Sequence, residues 1–511
     1  MYGETVTPSS GSRNVIPFAG ADNIRRLFAP ALTACRVALS NRRMADTRTA
    51  RSFVGLAAGE AVARLIAFAA TLLVARRLGP AMYGIIGVTS GIMLYLTQVA
   101  DGGVELSGVP AVARQRTGLT ELVSATLTGR VLVAVALSVI VVAIGVTAAP
   151  QPDGAILAVY ASGLVFVGAG VRWVFVGLQR STWVAAARVL GELTTLGVVI
   201  VALDDVGDVA FVPFASVLGA AVAALIMFAG LAQLGVRPIV STNWSLSRDL
   251  FARGPHLVGF TLLGLVLFNA DLIYLRVVSG EKAAGLYAAA YTFIAFAANL
   301  SVAWAHSVMP AIARPGQDPG WRASVYARAQ ALAFAAAIPV SAGGVVVASH
   351  LIDLVFGDEY LPAVSALVWL LPAIPLAAVR EVVYAALIAA PGGERQLVRV
   401  NALSAVFNLV ILIPVVPRFG ATGAAAVTVL TEALRLTVAV RASRRAGYPT
   451  PAVGRFRRPL AAALLMMAVL FAAGDRHLVV QVVAGMLLYS TGLFVTGVVR
   501  LGPAMKLRLE V

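Results

Sequence analysis

The chain has 511 residues, 59% hydrophobic and only 13% charged, with a mean hydropathy of +0.88, whereas a soluble domain is about one-quarter charged; a water-soluble globule is excluded. One cysteine, Cys35, and four scattered histidines leave no disulfide framework and no metal constellation, so no cofactor or metal is expected. The net charge of +16 reads as basic connections that orient a membrane protein rather than as a nucleic-acid surface.

Residues 1–51 are polar and carry eight arginines, and their short apolar piece at 31–39 is interrupted by Arg36. It lacks a small-residue cleavage site and is a poor signal peptide. Two readings of this tail stand open: a basic cytoplasmic segment that is disordered or lies on the membrane surface, and sequence upstream of a natural start at Met44. From Ser52 onward the apolar residues fall in blocks of about twenty, the length a helix needs to cross about 30 Å of hydrocarbon. Fourteen spans are expected, near 52–75, 83–108, 120–148, 155–178, 183–203, 209–233, 256–277, 284–311, 327–350, 361–389, 397–416, 420–440, 457–474 and 477–499. With the N-terminus in the cytoplasm, twenty-nine arginines and lysines fall on the inner side and five on the outer: Arg76, Arg77, Lys282, Arg418 and Arg476. That bias predicts cytoplasmic N- and C-termini.

Two stretches, 78–114 and 279–314, share one plan. Pro110-Ala111-Val112-Ala113-Arg114 matches Pro310-Ala311-Ile312-Ala313-Arg314, and Tyr83-Gly84 is echoed, offset by a residue or two, in Gly285-Leu286-Tyr287. Both run outside to inside, so the repeat is a parallel one about an axis along the membrane normal. The expected fold is an all-α polytopic membrane protein of about 14 transmembrane helices. The expected division is a tail (1–51), an N-lobe of spans one to six (52–240), a C-lobe of spans seven to twelve (241–445), and spans thirteen and fourteen with a short tail (446–511).

Several motifs carry a family likeness: Arg77-Leu78-Gly79-Pro80-Ala81-Met82-Tyr83-Gly84, Asp101-Gly102-Gly103, and Gly285-Leu286-Tyr287-Ala288-Ala289-Ala290. Leu351-Ile352-Asp353-Leu354-Val355-Phe356-Gly357-Asp358-Glu359-Tyr360 and Phe419-Gly420-Ala421-Thr422-Gly423-Ala424-Ala425 complete the set. On these the chain resembles the polysaccharide exporter, or oligosaccharide flippase, branch of the multidrug/oligosaccharidyl-lipid/polysaccharide exporter superfamily. The resemblance implies alternating access of two six-helix lobes in the bacterial cytoplasmic membrane. The cargo it implies is a polyprenyl-diphosphate-linked oligosaccharide, flipped from the inner to the outer leaflet for surface-polysaccharide biosynthesis. Implied partners are that lipid-linked oligosaccharide, membrane lipids, and a glycan polymerase or other assembly proteins; nucleic acid is not expected, and the chain is expected to be a monomer. Alternatives are a peptidoglycan lipid-precursor flippase or cation-coupled drug exporter of the same superfamily, and a polytopic glycan polymerase or glycosyltransferase. The short outer loops argue against the last, so the chain is not expected to be an enzyme.

Charges inside a bilayer are costly, which makes each ionisable residue at depth a functional candidate. A diphosphate needs cations, and guanidinium matches phosphate oxygens in a fork, so Arg64, Arg172 and Arg380 are the expected cavity cations. Glu60 and Arg64, four residues apart on one helix face, and Glu432 and Arg435, three apart, could instead neutralise each other. Asp271 and Glu60 are the candidates for a coupling ion or proton, Asp271 at a position where the resemblance places a common aspartate; an ion pair with Arg276 is its alternative. Asp101 and Glu105 are read as a gate closed by cytoplasmic arginines.

Overall fold

The computed structural model describes residues 21–114, 118–241, 243, 245, 247–313, 318–450, 453–474, 476–497, 499–501 and 507–509. They are helical almost throughout, apart from connections and a short antiparallel hairpin of Val499–Leu501 with Leu507–Leu509. Arg314, at the end of the second repeat stretch, and residues 1–20 of the basic tail lie outside the described residues.

Among the described residues, nine helices are long and apolar enough to cross a membrane, and two of them, Thr261–Ala313 and Gly393–Arg445, run for 53 residues. Unbroken, each would measure about 80 Å, far more than about 30 Å of hydrocarbon. Each is broken near its middle, at Gly280 (φ 85°, ψ 178°) and Gly420 (φ 54°, ψ −137°), and so passes twice. The first helix, Ala21–Asp101, breaks in the same way at Gly79 (φ 68°, ψ 175°). Positive φ with ψ near 180° is essentially closed to residues with a Cβ, which is why glycine stands at these turns. Helical passes occur at all fourteen expected places, and the chain is an all-α polytopic membrane protein.

Several passes are not single helices. Span two stops at Asp101; Gly102 and Gly103, both at positive φ, turn the chain into a separate helix, Val104–Arg114. Span four is three pieces, Asp153–Ser162, Leu164–Gly168 and Arg172–Gly177. Span ten divides into Ala363–Leu370 and Ala373–Ala389 around Pro372, which has no N–H to continue the ladder.

The twin stretches meet face to face. A Cβ on Gly84 would stand 2.1 Å from the Glu281 carbonyl oxygen, and one on Gly285 would stand 1.7 Å from that of Pro80. Only glycine allows the two spans to come this close. In each copy the contact glycine follows the kink glycine by five residues, 79 to 84 and 280 to 285, so the glycines are in register. Tyr83 and Tyr287, which looked like one motif slightly offset, are not equivalent. They sit beside this contact in one buried cluster with Phe356 and Tyr360.

The same end of the molecule carries further ties between the first six spans and the next six. Tyr360 donates to the Ala75 carbonyl at 2.8 Å. Arg76 donates to the carbonyls of Val355, at 2.9 Å, and Leu354, which end the span-nine helix Pro319–Phe356. Its neighbour Arg77 donates to the carbonyl of Leu203 and, at 3.1 Å, to that of Ile200, where span five, Ser181–Ala202, ends. Two adjacent arginines thus satisfy the orphan carbonyls of two helices, one in each half. Arg276 of span seven pairs with Asp153 at the start of span four, 2.8 Å away.

Candidate functional site

Two groups of charged side chains lie within the spans. The first belongs to spans one to five. Span four breaks after Gly168, where the Val167 carbonyl accepts only the tight turn from the Gly170 N–H and the Gly170 carbonyl has no backbone donor among the described residues. Arg130 of span three fills the gap, donating to Gly170 at 2.5 Å, Val167 at 3.0 Å and Asp101 at 2.9 Å, and is only 3% exposed. A neighbouring side chain re-satisfying a broken helix is how such a break survives in a membrane. The helix restarts at Arg172, which reaches Glu105 at 2.8 Å and Glu60 at 3.7 Å yet stays 40% exposed. Arg188 of span five completes the chain of pairs, 4.0 Å from Glu60 and 3.4 Å from Glu192. Four carboxylates (Glu60, Asp101, Glu105, Glu192) thus face three guanidinium groups (Arg130, Arg172, Arg188). Above Glu192 a cavity of about 240 Å³ extends between spans one, two, four, five and six, with hydroxyls of Thr71, Tyr160, Thr195 and Ser216 in its wall.

The second group belongs to spans ten to twelve and is sealed. Arg380, 4% exposed, lies between Glu381 and Glu432, 2.7 Å from each. Glu432 also accepts from Arg435 at 2.5 Å. The Tyr384 ring stacks under both guanidinium groups, 4.9 and 5.9 Å from its centroid, and its hydroxyl donates to Asn401 at 2.8 Å. Two charges of each sign are neutralised here, with the arginines buried and the glutamates only 13–18% exposed. Beside this quartet, Asp271 is 2% exposed and accepts hydrogen bonds from the Tyr287 hydroxyl, from Thr428 at 3.1 Å and from the Leu272 N–H at 2.8 Å. A cavity of about 20 Å³, room for about one water, touches Thr428, Tyr291, Arg380 and Glu432.

The three arginines expected to share a cavity therefore have separate partners. Arg64 is exposed and donates to Asn299 of span eight, across the two halves, rather than pairing with Glu60. Arg172 has its two carboxylates and Arg380 its own two; neither described cavity, in the first half or the second, is lined by Arg64 or Arg172. Asp271 is not paired with Arg276, whose partners are Asp153 and Glu281 at 2.8 and 3.0 Å. Asp101 and Glu105 pair with arginines of spans three and four rather than with arginines of the connections. Tyr287, Thr428, Tyr384 and Asn401 were not foreseen as site residues. Of these, only Tyr287 carried a signal, its place in the repeat.

The comparisons with known proteins add the family. The model of the polysaccharide biosynthesis protein family matches residues 50–315, more than half of the chain. The chain belongs to that family. No curated protein matches it. Among solved structures it is similar to the lipid II flippase MurJ in an inward closed conformation, with 12% identity, a TM-score of 0.71, and 86% of this chain and 98% of that one covered. It is also similar to an inward-facing multidrug resistance MATE family transporter of the MOP superfamily, with 14% identity, a TM-score of 0.61, and 81% and 96% covered. A MOP superfamily transporter from Pyrococcus furiosus gives 14% identity, a TM-score of 0.56, and 83% and 96% covered. At such identities the likeness is one of fold, the fold that these flippase and transporter structures share, as the motifs implied. The family member is thus a multi-pass membrane protein of transporter or flippase architecture, and the structures it resembles are transporters and flippases rather than enzymes.

Proposed function

We propose that this family member flips a polyprenyl-diphosphate-linked oligosaccharide from the inner to the outer leaflet of the bacterial cytoplasmic membrane. It does so by alternating access, without making or breaking a covalent bond. The observation that carries the cargo class is membership of the polysaccharide biosynthesis family across residues 50–315. Residues 52–240 and 241–445 act as the two moving lobes, 446–511 as an added pair of spans, and both termini face the cytoplasm. The closed end, with Arg76, Tyr360 and the Gly84–Gly285 contact, is then the outer gate.

Within this reading Arg172 is the first cation for the diphosphate. It is 40% exposed, and its carboxylate partners Glu60 and Glu105 hold it in place without sealing it. A diphosphate and two carboxylates compete for one guanidinium, so taking up a proton on Glu60 or Glu105 favours cargo binding. That makes Glu60 the coupling group of the N-lobe. Asp271 with Tyr287 and Thr428 is the coupling group of the C-lobe. Arg64, exposed and bridging the halves to Asn299, is the second cation, released when the lobes move. Arg380 serves the site through its neighbours Glu432 and Tyr384 and meets the diphosphate only if that quartet opens.

Deleting the gene and measuring lipid-linked glycan in the membrane tests this directly. Accumulation of an oligosaccharide on polyprenyl diphosphate in the inner leaflet is the expected result. A second reading, transport of a peptidoglycan lipid precursor, is favoured by the fold likeness to a lipid II flippase. Accumulation of that precursor, with surface polysaccharide unchanged, would replace the first reading by the second.

A further inference from the structure

A cavity of about 150 Å³ lies in the second half, where span nine begins and spans ten and twelve end. Its walls are the first turn of Pro319–Phe356, residues 389–391 and residues 446–449. Arg322 is the one charged residue among those described in the wall. Its Nε is shut off from solvent and has no hydrogen-bond partner among the described residues. The acid one turn earlier, Asp318, spends Oδ2 on the Trp321 N–H at 3.0 Å as the helix cap. Tyr448 brings a hydroxyl to the same wall, and its ring rests on Tyr326, with centroids 5.2 Å apart. Burial pushes the Tyr448 phenol up and the nearby Arg322 charge opposes that push, so at neutral pH Tyr448 is an O–H donor beside a guanidinium.

The backbone around the cavity does not supply the missing acceptor. The last carbonyls of span twelve are taken by the N–H groups of Ala446, Gly447 and Tyr448. Residues 389–391 lead into the helix Gly393–Arg445, whose first turn has no side-chain cap and so leaves N–H donors rather than acceptors. Arg328, Arg441, Arg444 and Arg445 stand exposed on the same end and raise the local concentration of anions.

We propose that this cavity binds a phosphate group, held by the Nη groups of the Arg322 guanidinium with the Tyr448 hydroxyl as a further donor. A planar guanidinium donates to two phosphate oxygens side by side. The volume exceeds a single phosphate and fits an esterified one with water, as in an anionic lipid headgroup; a free phosphate is the other source. With the orientation proposed above, the site opens at the inner leaflet. It is separate from Arg172 and independent of which glycan is carried.

The test uses the full-length protein in neutral detergent, given phosphatidylglycerol, phosphatidylcholine or inorganic phosphate. Native mass spectrometry counts bound lipid, and melting temperature reads phosphate binding. The wild type should retain phosphatidylglycerol over phosphatidylcholine, and Arg322→Gln should weaken that retention about tenfold, the scale of one lost charge-assisted pair. Stabilisation by inorganic phosphate that is lost in Arg322→Gln identifies a free phosphate as the ligand, and retention of the lipid alone identifies the headgroup. Arg441→Gln, exposed on the same end, should change neither reading; an equal fall there would mean a diffuse basic surface and would overturn the site. Wild-type behaviour of Arg322→Gln in both readings overturns it too. Should Arg322→Gln fail to fold, Tyr448→Phe keeps the ring on Tyr326 and removes only the hydroxyl. A loss of several-fold affinity there supports the site, and an unchanged affinity refutes it.

Discussion

The two charged groups inside the spans have similar ingredients and opposite designs. In spans one to five, carboxylates outnumber guanidinium groups four to three, the pairs are spread along a chain, and Arg172 remains 40% exposed. In spans ten to twelve, two arginines and two glutamates close on one another over the Tyr384 ring, and Arg380 is 4% exposed. A neutral quartet whose two arginines are buried has paired charges to lose, so it holds helices together. An open chain of pairs with one more carboxylate than guanidinium leaves Arg172 within reach of solvent. Under the proposed function, the difference separates an element that fixes a lobe from one that handles cargo.

Breaking the quartet should give the largest effect on the fold. Glu432→Ala leaves Arg380 and Arg435 buried without their shared partner, and the expected loss is about 3–5 kcal/mol, read as a collapse of melting temperature and of monodisperse yield. Arg172→Gln, solvent-screened on one side, should cost about 1 kcal/mol or less in the same measurement. Equal losses in the two variants would erase the distinction between the groups.

The gate end comes next. Gly285→Ala places a methyl 1.7 Å from the Pro80 carbonyl oxygen and should weaken the closed state by about 1–3 kcal/mol. In a Cys35→Ser background, a cysteine replacing the buried Ala75 should then react with a water-soluble maleimide that it otherwise excludes. Unchanged protection would mean that the glycine contact does not hold this end shut. Arg76→Gln should raise the same labelling more modestly, since two bonds from an exposed side chain contribute about 1 kcal/mol or less.

Much of the fold was legible because membrane chemistry restricts it. Apolar blocks of about twenty residues are local signals of a helix that crosses, and the reversals at Gly79, Gly280 and Gly420 fall between such blocks. Even the repeat could be read, although the glycines rather than the tyrosines proved to be its register. The site was legible only as a set of charged residues. Sequence shows partners within about a turn and a half on one helix: of the pairs it offered, Glu432 with Arg435 forms, whereas Glu60 with Arg64 and Asp271 with Arg276 do not. The actual partners, Arg172 for Glu60 and Tyr287 with Thr428 for Asp271, come from other spans and are fixed by packing. Arg130 illustrates the same limit. Its partners at the break in span four, the carbonyls of Gly170 and Val167, lie about forty residues away and are set by packing.

The central claim is that Arg172 handles the diphosphate while Arg380 supports the lobe. Flipping of a polyprenyl-diphosphate oligosaccharide by the reconstituted protein tests it, with wild type, Arg172→Gln and Arg172→Lys compared at equal amounts of folded protein. The account predicts that Arg172→Gln loses flipping by about tenfold or more while keeping its melting temperature, and that Arg172→Lys restores part of it. Wild-type flipping by Arg172→Gln would contradict it.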